Sequence, residues 1–181
     1  MVELRELLLE NHGKILLIKG KEDSMGIFSF IKAWLSPKGE KLKVCGTVRL
    51  IGRNYDKNGV LKQVFDRKLP NLITDDGFDL ICDCLGHNTQ PDDISHMAIG
   101  SGTGQGAGDT TLSSEDQRET AAYAHTPGEK TCTFTATFTT VVAATEYACF
   151  NDPTTGDMLN VADFSAITVD DLEIVCTLTL S

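Results

Sequence analysis

The sequence predicts a mainly β protein: an antiparallel β-sandwich with one short α-helix, preceded by an N-terminal α/β extension. Three observations support this fold class. Asn58 and Gly59 lie between two segments rich in β-forming residues, which is a strong local signal for a hairpin. Apolar and polar residues alternate through residues 131–142, as in a strand with one buried face. Beyond residue 94, short apolar segments are joined by Gly, Asp and Thr turns, and no helical pattern between them could connect parallel strands.

We assign the β-sandwich domain to residues 42–181. Its predicted parts are a hairpin at residues 42–69, a helix at residues 74–86 and a series of strands between residues 94 and 181. The strands follow one another at spacings of about 10–15 residues, which is typical of sandwich architectures.

The predicted helix has suitable capping residues at both ends. Thr74 can accept a hydrogen bond from a free N–H group of the first turn, and Gly86 is suited to ending the helix. Four apolar residues recur at the i, i+3, i+4 and i+7 spacing that places them on one face, and we expect this face to be buried: Phe78, Ile81, Cys82 and Leu85.

Two strands have a recognisable inward face, and we expect both faces to form the core, with Phe134 and Phe138 as anchors. In residues 131–142 the threonines are predicted to face outward. The residues predicted to face inward are Cys132, Phe134, Ala136, Phe138 and Val142. In the final strand the inward row is Leu172, Ile174, Cys176, Leu178 and Leu180. The residues between these two strands read as further separate strands, at ATEYACF, MLNVADF and SAITV.

Residues 1–41 are expected to form an extension that acts as an assembly arm. The spacing of Leu4, Leu7 and Leu8 predicts a short helix, and residues 15–19 predict a strand. A following segment has an apolar face too broad for full exposure to solvent, so it must pack on its own domain or on a partner. The predicted interface residues are Ile27, Phe28, Phe30, Ile31, Trp34 and Leu35.

Charge is divided sharply along the chain. Residues 1–70 contain 14 Lys and Arg against 8 Asp and Glu, whereas residues 71–181 contain 2 against 18. The net charges are therefore +6 and −16, which together give the −10 of the whole chain. An acidic domain repels nucleic acid, so we expect no nucleic-acid partner. The basic part either carries ordinary solvated faces or docks on an acidic neighbour, including another copy of the chain.

The sequence gives no sign of a membrane or secretory segment. No apolar run reaches the roughly 20 residues that span a bilayer, and the acidic residues among the first leucines are unlike a signal peptide. We therefore expect folding in a cytoplasm and no membrane partner. The six cysteines are then expected to be mainly buried free thiols, with disulfides formed after release from the cell as the alternative.

A glycine-rich segment at residues 100–108 fits G-x-G-x-x-A from Gly102 to Ala107. A dinucleotide fingerprint must also open a helix whose N-terminus holds the pyrophosphate. No helical pattern follows here, and no Lys follows in the P-loop position, so we interpret the segment as a flexible loop between strands.

Two metal-like patterns are also unconvincing. Residues 54–59 imitate a calcium loop, but its twelfth position is Phe65 rather than Glu. A possible zinc cluster consists of Cys82, Cys84, His87 and His96. Its two cysteines are two apart on a predicted helix and so face about 200° apart. We therefore predict no metal and no cofactor.

No enzymatic site is predicted either. The chain has four histidines and no serine in a nucleophile-elbow sequence. A glycosidase with two catalytic carboxylates stays open as an alternative. The fold brings such carboxylates together, so they need not be close in sequence.

From about residue 46 to residue 181, the order and spacing of several motifs resemble a type of bacteriophage virion protein. The matching segments are NLIT at 71–74 with Gly77, MAIGSGT at 97–103, DTTL at 109–112 with Glu115, TFTA at 133–136, CFN at 149–151 with GDML at 156–159, FSAIT at 164–168 and LTL at 178–180.

This resemblance implies a non-enzymatic structural component of a phage particle, assembled in the host bacterial cytoplasm and located in the virion. Such proteins occur as capsid decoration or cement subunits, which is the function we expect, with the shell bound through the N-terminal arm. The alternative is a tail-fibre, collar or baseplate component with possible contact to the host surface. The implied partners are the major capsid protein or tail proteins, and a homo-oligomer is expected. Residues 1–41 fall outside the resemblance.

Overall fold

The computed structural model describes residues 6–11, 14–19, 43–86 and 90–181. The chain divides into two compact units, residues 1–41 and residues 42–181.

In the first unit, strand β1 (Glu6–Asn11) pairs antiparallel with strand β2 (Lys14–Lys19), with Asn11 opposite Lys14 and Glu6 opposite Lys19. The strand predicted at residues 15–19 is confirmed. The helix predicted from Leu4, Leu7 and Leu8 is wrong, because residues 6–8 belong to β1. Pairing with a second apolar run satisfies the backbone of this segment, and such pairing routinely overrides a short helical spacing.

The second unit is mainly β with one short helix in its described residues, as the sequence predicted. Its elements are β3 (Val44–Tyr55), β4 (Leu61–Ile73), α1 (Asp75–Gly86), β5 (His96–Gly100), β6 (Glu115–Thr120), β7 (Ala122–His125), β8 (Thr131–Phe150) and β9 (Met158–Leu180). The strands form one seven-stranded sheet whose described pairings are all antiparallel.

Strands β3 and β4 form the hairpin predicted from Asn58 and Gly59. Tyr55 lies opposite Leu61 at its end. In the turn, Oδ1 of Asp56 accepts hydrogen bonds from the N–H groups of Asn58 (2.8 Å) and Val60 (2.9 Å). Gly59 has a φ of 77°, a conformation that glycine adopts without steric cost.

The sheet folds back on itself to make two facing layers. Nδ2 of Asn160 lies 3.4 Å from Sγ of Cys176, although both residues belong to β9. Sixteen residues of straight strand would separate them by about 50 Å, so β9 must turn back between them. Its C-terminal part pairs with β3 and its N-terminal part with the end of β8. Each of the two long strands therefore serves both layers, where the sequence predicted several shorter strands.

Strand β8 turns at an irregularity between Val141 and Ala144. Thr140 and Ala143 have φ values of 54° and 52° there, a region that residues with a Cβ rarely occupy. Val141 is buried and Val142 is 66% exposed, so the prediction that Val142 faces inward is wrong. A bulge adds one residue to a strand and shifts the alternation beyond it.

The core lies between the two layers. Phe134 and Phe138 are buried, as predicted. So is the predicted row on β9 from Leu172 to Leu178, whereas Leu180 at its end is exposed. The cluster also includes Val48, Leu50, Met97, Ile99, Tyr147, Cys149, Ile174 and Cys176.

Helix α1 occupies residues predicted to be helical, but of its predicted buried face only Ile81 packs against the core. Its buried residues are Gly77 and Leu80, while Phe78, Cys82 and Leu85 are exposed. The reason is close backbone contact: a Cβ at residue 77 would lie 2.0 Å from the carbonyl oxygen of Leu159. Glycine at that position lets the helix approach β9, with Leu80 buried, while Phe78, Cys82 and Leu85 face outward.

Candidate functional site

The glycine-rich loop between β5 and β6 is organised around one buried carboxylate. Glu146 lies on β8 and its side chain is fully buried. Its Oε1 accepts hydrogen bonds from the N–H groups of Gly102 (3.0 Å) and Ser114 (2.8 Å). Its Oε2 accepts from the N–H of Ser113 (3.2 Å) and from Nε2 of Gln105 (2.5 Å). A buried carboxylate needs such donors, since it is otherwise costly to remove from water.

Two further carboxylates bind the same loop. Oδ2 of Asp163 accepts from the N–H groups of Gly104 (2.7 Å) and Gln105 (3.2 Å). Oδ2 of Asp109 accepts from the N–H of Gly106 (2.7 Å). The loop predicted as flexible is thus held by hydrogen bonds along its length.

This geometry explains why the G-x-G-x-x-A pattern does not make a phosphate site. Backbone N–H groups that could hold a phosphate already donate to Glu146, Asp163 and Asp109. Residues 109–114 after the loop lead into strand β6 rather than a helix. The loop therefore binds carboxylates of its own chain.

Arg118 joins strand β6 to the turn at residues 151–157. Its side chain is 7% exposed and forms a two-bond ion pair with Glu115. Its Nη1 donates to the carbonyl oxygens of Asp152 (2.9 Å) and Thr155 (2.8 Å). The guanidinium also lies 3.8 Å from the centre of the Phe150 ring. This planar, five-donor group suits such combined pairing and stacking.

The turn at residues 151–157 is closed by its own side chains. Oδ1 of Asp152 accepts from the N–H groups of Thr154 and Thr155, both at 2.8 Å. These backbone hydrogen bonds lower the pKa of Asp152 to about 2. Oδ1 of Asn151 accepts from the N–H of Asp157 at 2.8 Å.

A polar network lies inside the core. The Tyr147 hydroxyl donates to Oδ1 of Asn160 (2.6 Å) and accepts from Nδ2 of Asn71 (2.9 Å). Both amide groups also donate to Sγ of Cys176 at 3.4 Å. Burial raises the pKa of Tyr147 and of the Cys149 thiol. The pKa of Cys176 is lowered by hydrogen bonds, of which the one with Cys149 has the largest effect.

This network has four fully buried members, Tyr147, Cys149, Asn160 and Cys176, and a half-buried one, Asn71. Its hydrogen bonds join the two layers of the sandwich. The structure holds all six cysteines as free thiols, with Cys149 and Cys176 buried and Cys82 and Cys84 exposed. Cys82 was expected to be in the core, so that expectation is wrong.

A shallow cleft of about 260 Å³ lies beside the glycine-rich loop, lined by residues that include Pro70, Leu72, Gln105, Val161 and Asp163. Oδ2 of Asp163 is already engaged with the loop. Asn71 also lines the cleft, and among the described residues Oδ1 of Asn71 and Oε1 of Gln105 are the buried side-chain oxygens without a hydrogen-bond partner.

The residues considered for metals lie apart or serve other purposes. Asp56 holds its own turn, and Asn54 contacts Gln63 and the N–H of Asp170. His96 hydrogen bonds with Ser95 through Nδ1, and His87 lies outside the described residues. Within the ranges that the structure describes, there is no group of three or more His, Cys, Asp or Glu that could hold a metal ion.

The predicted interface residues, Ile27, Phe28, Phe30, Ile31, Trp34 and Leu35, also lie outside the described residues. The structure does locate most of the positive charge. Residues 43–70 contain seven basic and two acidic residues, whereas residues 1–42 contain seven basic and six acidic residues. The net charge of +6 therefore resides chiefly on the β3–β4 hairpin and not on the extension.

Comparisons of the chain with protein-family models, with curated proteins and with solved structures found no match. None of the described helices is long and apolar enough to cross a membrane.

Proposed function

We propose that this chain is a non-enzymatic structural subunit of a bacteriophage particle, and specifically a capsid decoration or cement protein. The observation that supports this proposal is that the motifs of the resemblance contact one another. Motifs that lie far apart in sequence meet around the glycine-rich loop and the start of α1. We therefore interpret them as parts of one structural unit.

The first set of contacts joins the NLIT segment to the GDML segment. Oγ1 of Thr74 caps α1 by accepting from the N–H of Gly77 (3.0 Å), and it donates to the carbonyl oxygen of Met158. The N–H of Thr74 donates to the carbonyl oxygen of Leu159 at 3.2 Å. Gly77 packs against the same carbonyl group. These contacts account for a threonine at residue 74 and a glycine at residue 77.

The second set joins the MAIGSGT segment to its neighbours. Ser101 N–H donates to the carbonyl oxygen of Ser114 (2.9 Å), and Gly102 donates to Glu146. A Cβ at residue 100 would lie 2.2 Å from the carbonyl oxygen of Ser114, so glycine is required there. Asp109 holds Gly106, and Glu115 pairs with Arg118.

The test is to purify particles of the phage that encodes the chain and to count copies per particle by quantitative mass spectrometry. A decoration protein should be present in numbers comparable with the major capsid protein. A few copies per particle, together with binding of the purified chain to host cells, would instead indicate a tail-fibre, collar or baseplate component. Absence from purified particles would refute both.

The role proposed for residues 1–41 has its own test. A shortened chain that begins at Leu42 should stay folded but fail to join the particle, and Trp34→Ala should weaken attachment of the full chain. Apolar anchors should hold as salt is raised from about 0.1 M to 1 M, whereas exposed charge pairs weaken. Release by salt alone, or unchanged attachment of the Trp34→Ala variant, would contradict an apolar arm.

A further inference from the structure

Helix α1 presents an apolar stripe that no described element covers. Phe78 is 47% exposed and Leu85 is 78% exposed, with Cys82 exposed between them on the same face. Asp75, Asp79 and Asp83 are also exposed, and the last turn contains no basic residue. We name Phe78, Cys82 and Leu85, with these three aspartates, the helix patch. It combines apolar side chains with negative charge.

The end of the β3–β4 hairpin has the opposite character. Val60, Leu61 and Val64 are 59%, 49% and 52% exposed. Lys57 and Lys62 are exposed beside them. We name these five residues the hairpin patch. Two carboxylates lie close by, and both accept hydrogen bonds from backbone N–H groups of the hairpin: Asp56 from Asn58 and Val60, and Asp170 from Tyr55. The residues of the patch itself are apolar side chains and two lysines.

The two patches lie at opposite ends of β4. The hairpin patch is at its first residue, Leu61, and the helix begins just after its last residue, Ile73. From Gln63 to Asn71 the strand pairs residue by residue with β3 without a break, so it is extended. Thirteen residues of strand span about 40 Å. The patches therefore cannot meet within one copy of the described domain.

We propose that the hairpin patch of one copy docks on the helix patch of a second copy. The contact places valine and leucine against phenylalanine and leucine, and lysines against aspartates. Apolar anchors within a charged rim are the usual make-up of a specific interface. The wider charge distribution favours the same pairing, since residues 43–70 are basic and residues 71–181 are strongly acidic.

Because the two patches differ, the contact is head to tail. Each copy keeps one free patch after pairing, so repetition closes a ring or extends a chain of subunits. This inference concerns the domain alone and does not rest on the proposed role in a virion.

The test uses two single substitutions in the full chain, measured by sedimentation velocity at about 0.1 M salt. Val64→Glu places a negative charge in the hairpin patch, and Leu85→Lys places a positive charge in the helix patch. Each should weaken self-association at least about tenfold. Tyr123→Ser, which removes a 60% exposed aromatic side chain elsewhere on the surface, is the matched control and should leave association unchanged.

The decisive measurement mixes the two variants. The Val64→Glu chain retains an intact helix patch and the Leu85→Lys chain an intact hairpin patch, so together they should form dimers of one copy each and nothing larger. A wild-type chain that stays monomeric, or a mixture that stays monomeric, would overturn the proposal. So would either variant assembling alone as the wild type does, because that patch would then not be needed.

Discussion

The hydroxyl group of Tyr147 donates a 2.6 Å hydrogen bond to Oδ1 of Asn160 in the centre of the apolar core. Both side chains are fully buried. Asn160 also contacts Cys176, and Tyr147 also contacts Asn71. Polar contacts therefore join the layer containing Cys176 to the layer containing Tyr147. Such a network specifies how two apolar layers face each other, because misaligned layers would leave its members unpaired.

Replacing Tyr147 with Phe should destabilise the fold. The substitution keeps the ring and leaves Oδ1 of Asn160 and Nδ2 of Asn71 without their hydroxyl partner. An unpaired buried polar group costs about 1–3 kcal/mol, and the free energy of unfolding in urea should fall by about that amount. Tyr123→Phe is the control, because Tyr123 is exposed, and it should change stability by less than about 0.5 kcal/mol.

Replacing Glu146 with Gln should release the glycine-rich loop. An amide offers one acceptor and places an NH₂ group towards N–H donors that now face a carboxylate. Hydrogen bonds to a charged group are worth about 1.5–3 kcal/mol each, so we expect a loss of roughly 3 kcal/mol. Proteolysis within residues 101–114 should also become faster. Glu119→Gln is a matched control on the exposed side of β6, and equal proteolysis of the two variants would contradict the role of Glu146.

Two glycines of the same helix should respond oppositely to alanine. At residue 77 the added Cβ would meet the carbonyl oxygen of Leu159 at 2.0 Å, whereas at residue 86 nothing lies within 4 Å. Gly77→Ala should therefore cost about 1–3 kcal/mol or more through overpacking. Gly86→Ala should be neutral or slightly stabilising, since alanine favours helix. Equal thermal midpoints for the two variants would show that α1 is not docked through Gly77.

The turn at residues 151–157 should depend on pH only in strong acid. The pKa of Asp152 is lowered to about 2 by hydrogen bonds from Thr155 and Thr154. A carboxyl group with a depressed pKa in the folded state stabilises the fold above its ordinary pKa, and that stabilisation is lost as pH falls towards about 2. The amide NMR signals of Thr154 and Thr155 should therefore shift with a midpoint near pH 2. Asp152→Asn should abolish this transition, and a midpoint near 4 would contradict it.

The sequence correctly predicted those elements that are determined by residues close together in the chain. The turn at Gly59 and the cap at Thr74 depend on their immediate neighbours, and both lie where the sequence placed them. Alternation predicted the burial of Phe134 and Phe138 for the same reason. It failed at Val142, because the bulge at Thr140 and Ala143 resets the faces of β8.

The candidate site could not be predicted from the sequence, because it is formed by contacts between residues that lie far apart in the chain. The buried face of α1 depends on the backbone of Leu159, which lies 82 positions after Gly77. Glu146 stands among residues that look like an ordinary strand, and its N–H donors lie 32 to 44 positions earlier. The glycine pattern of the loop was visible, but the carboxylates that fill it were not.

The inner and outer faces of β8 should differ strongly in their sensitivity to truncation. Phe138 is fully buried between the layers, whereas Thr137 beside it is exposed. Phe138→Ala removes a ring from a close-packed core and should cost roughly 3–5 kcal/mol. Thr137→Ala should cost less than about 1 kcal/mol, because the hydroxyl and methyl groups face solvent. Urea unfolding of the two variants measures the difference directly. A more sensitive Thr137 would mean that the strand is shifted by one residue and that its faces are exchanged.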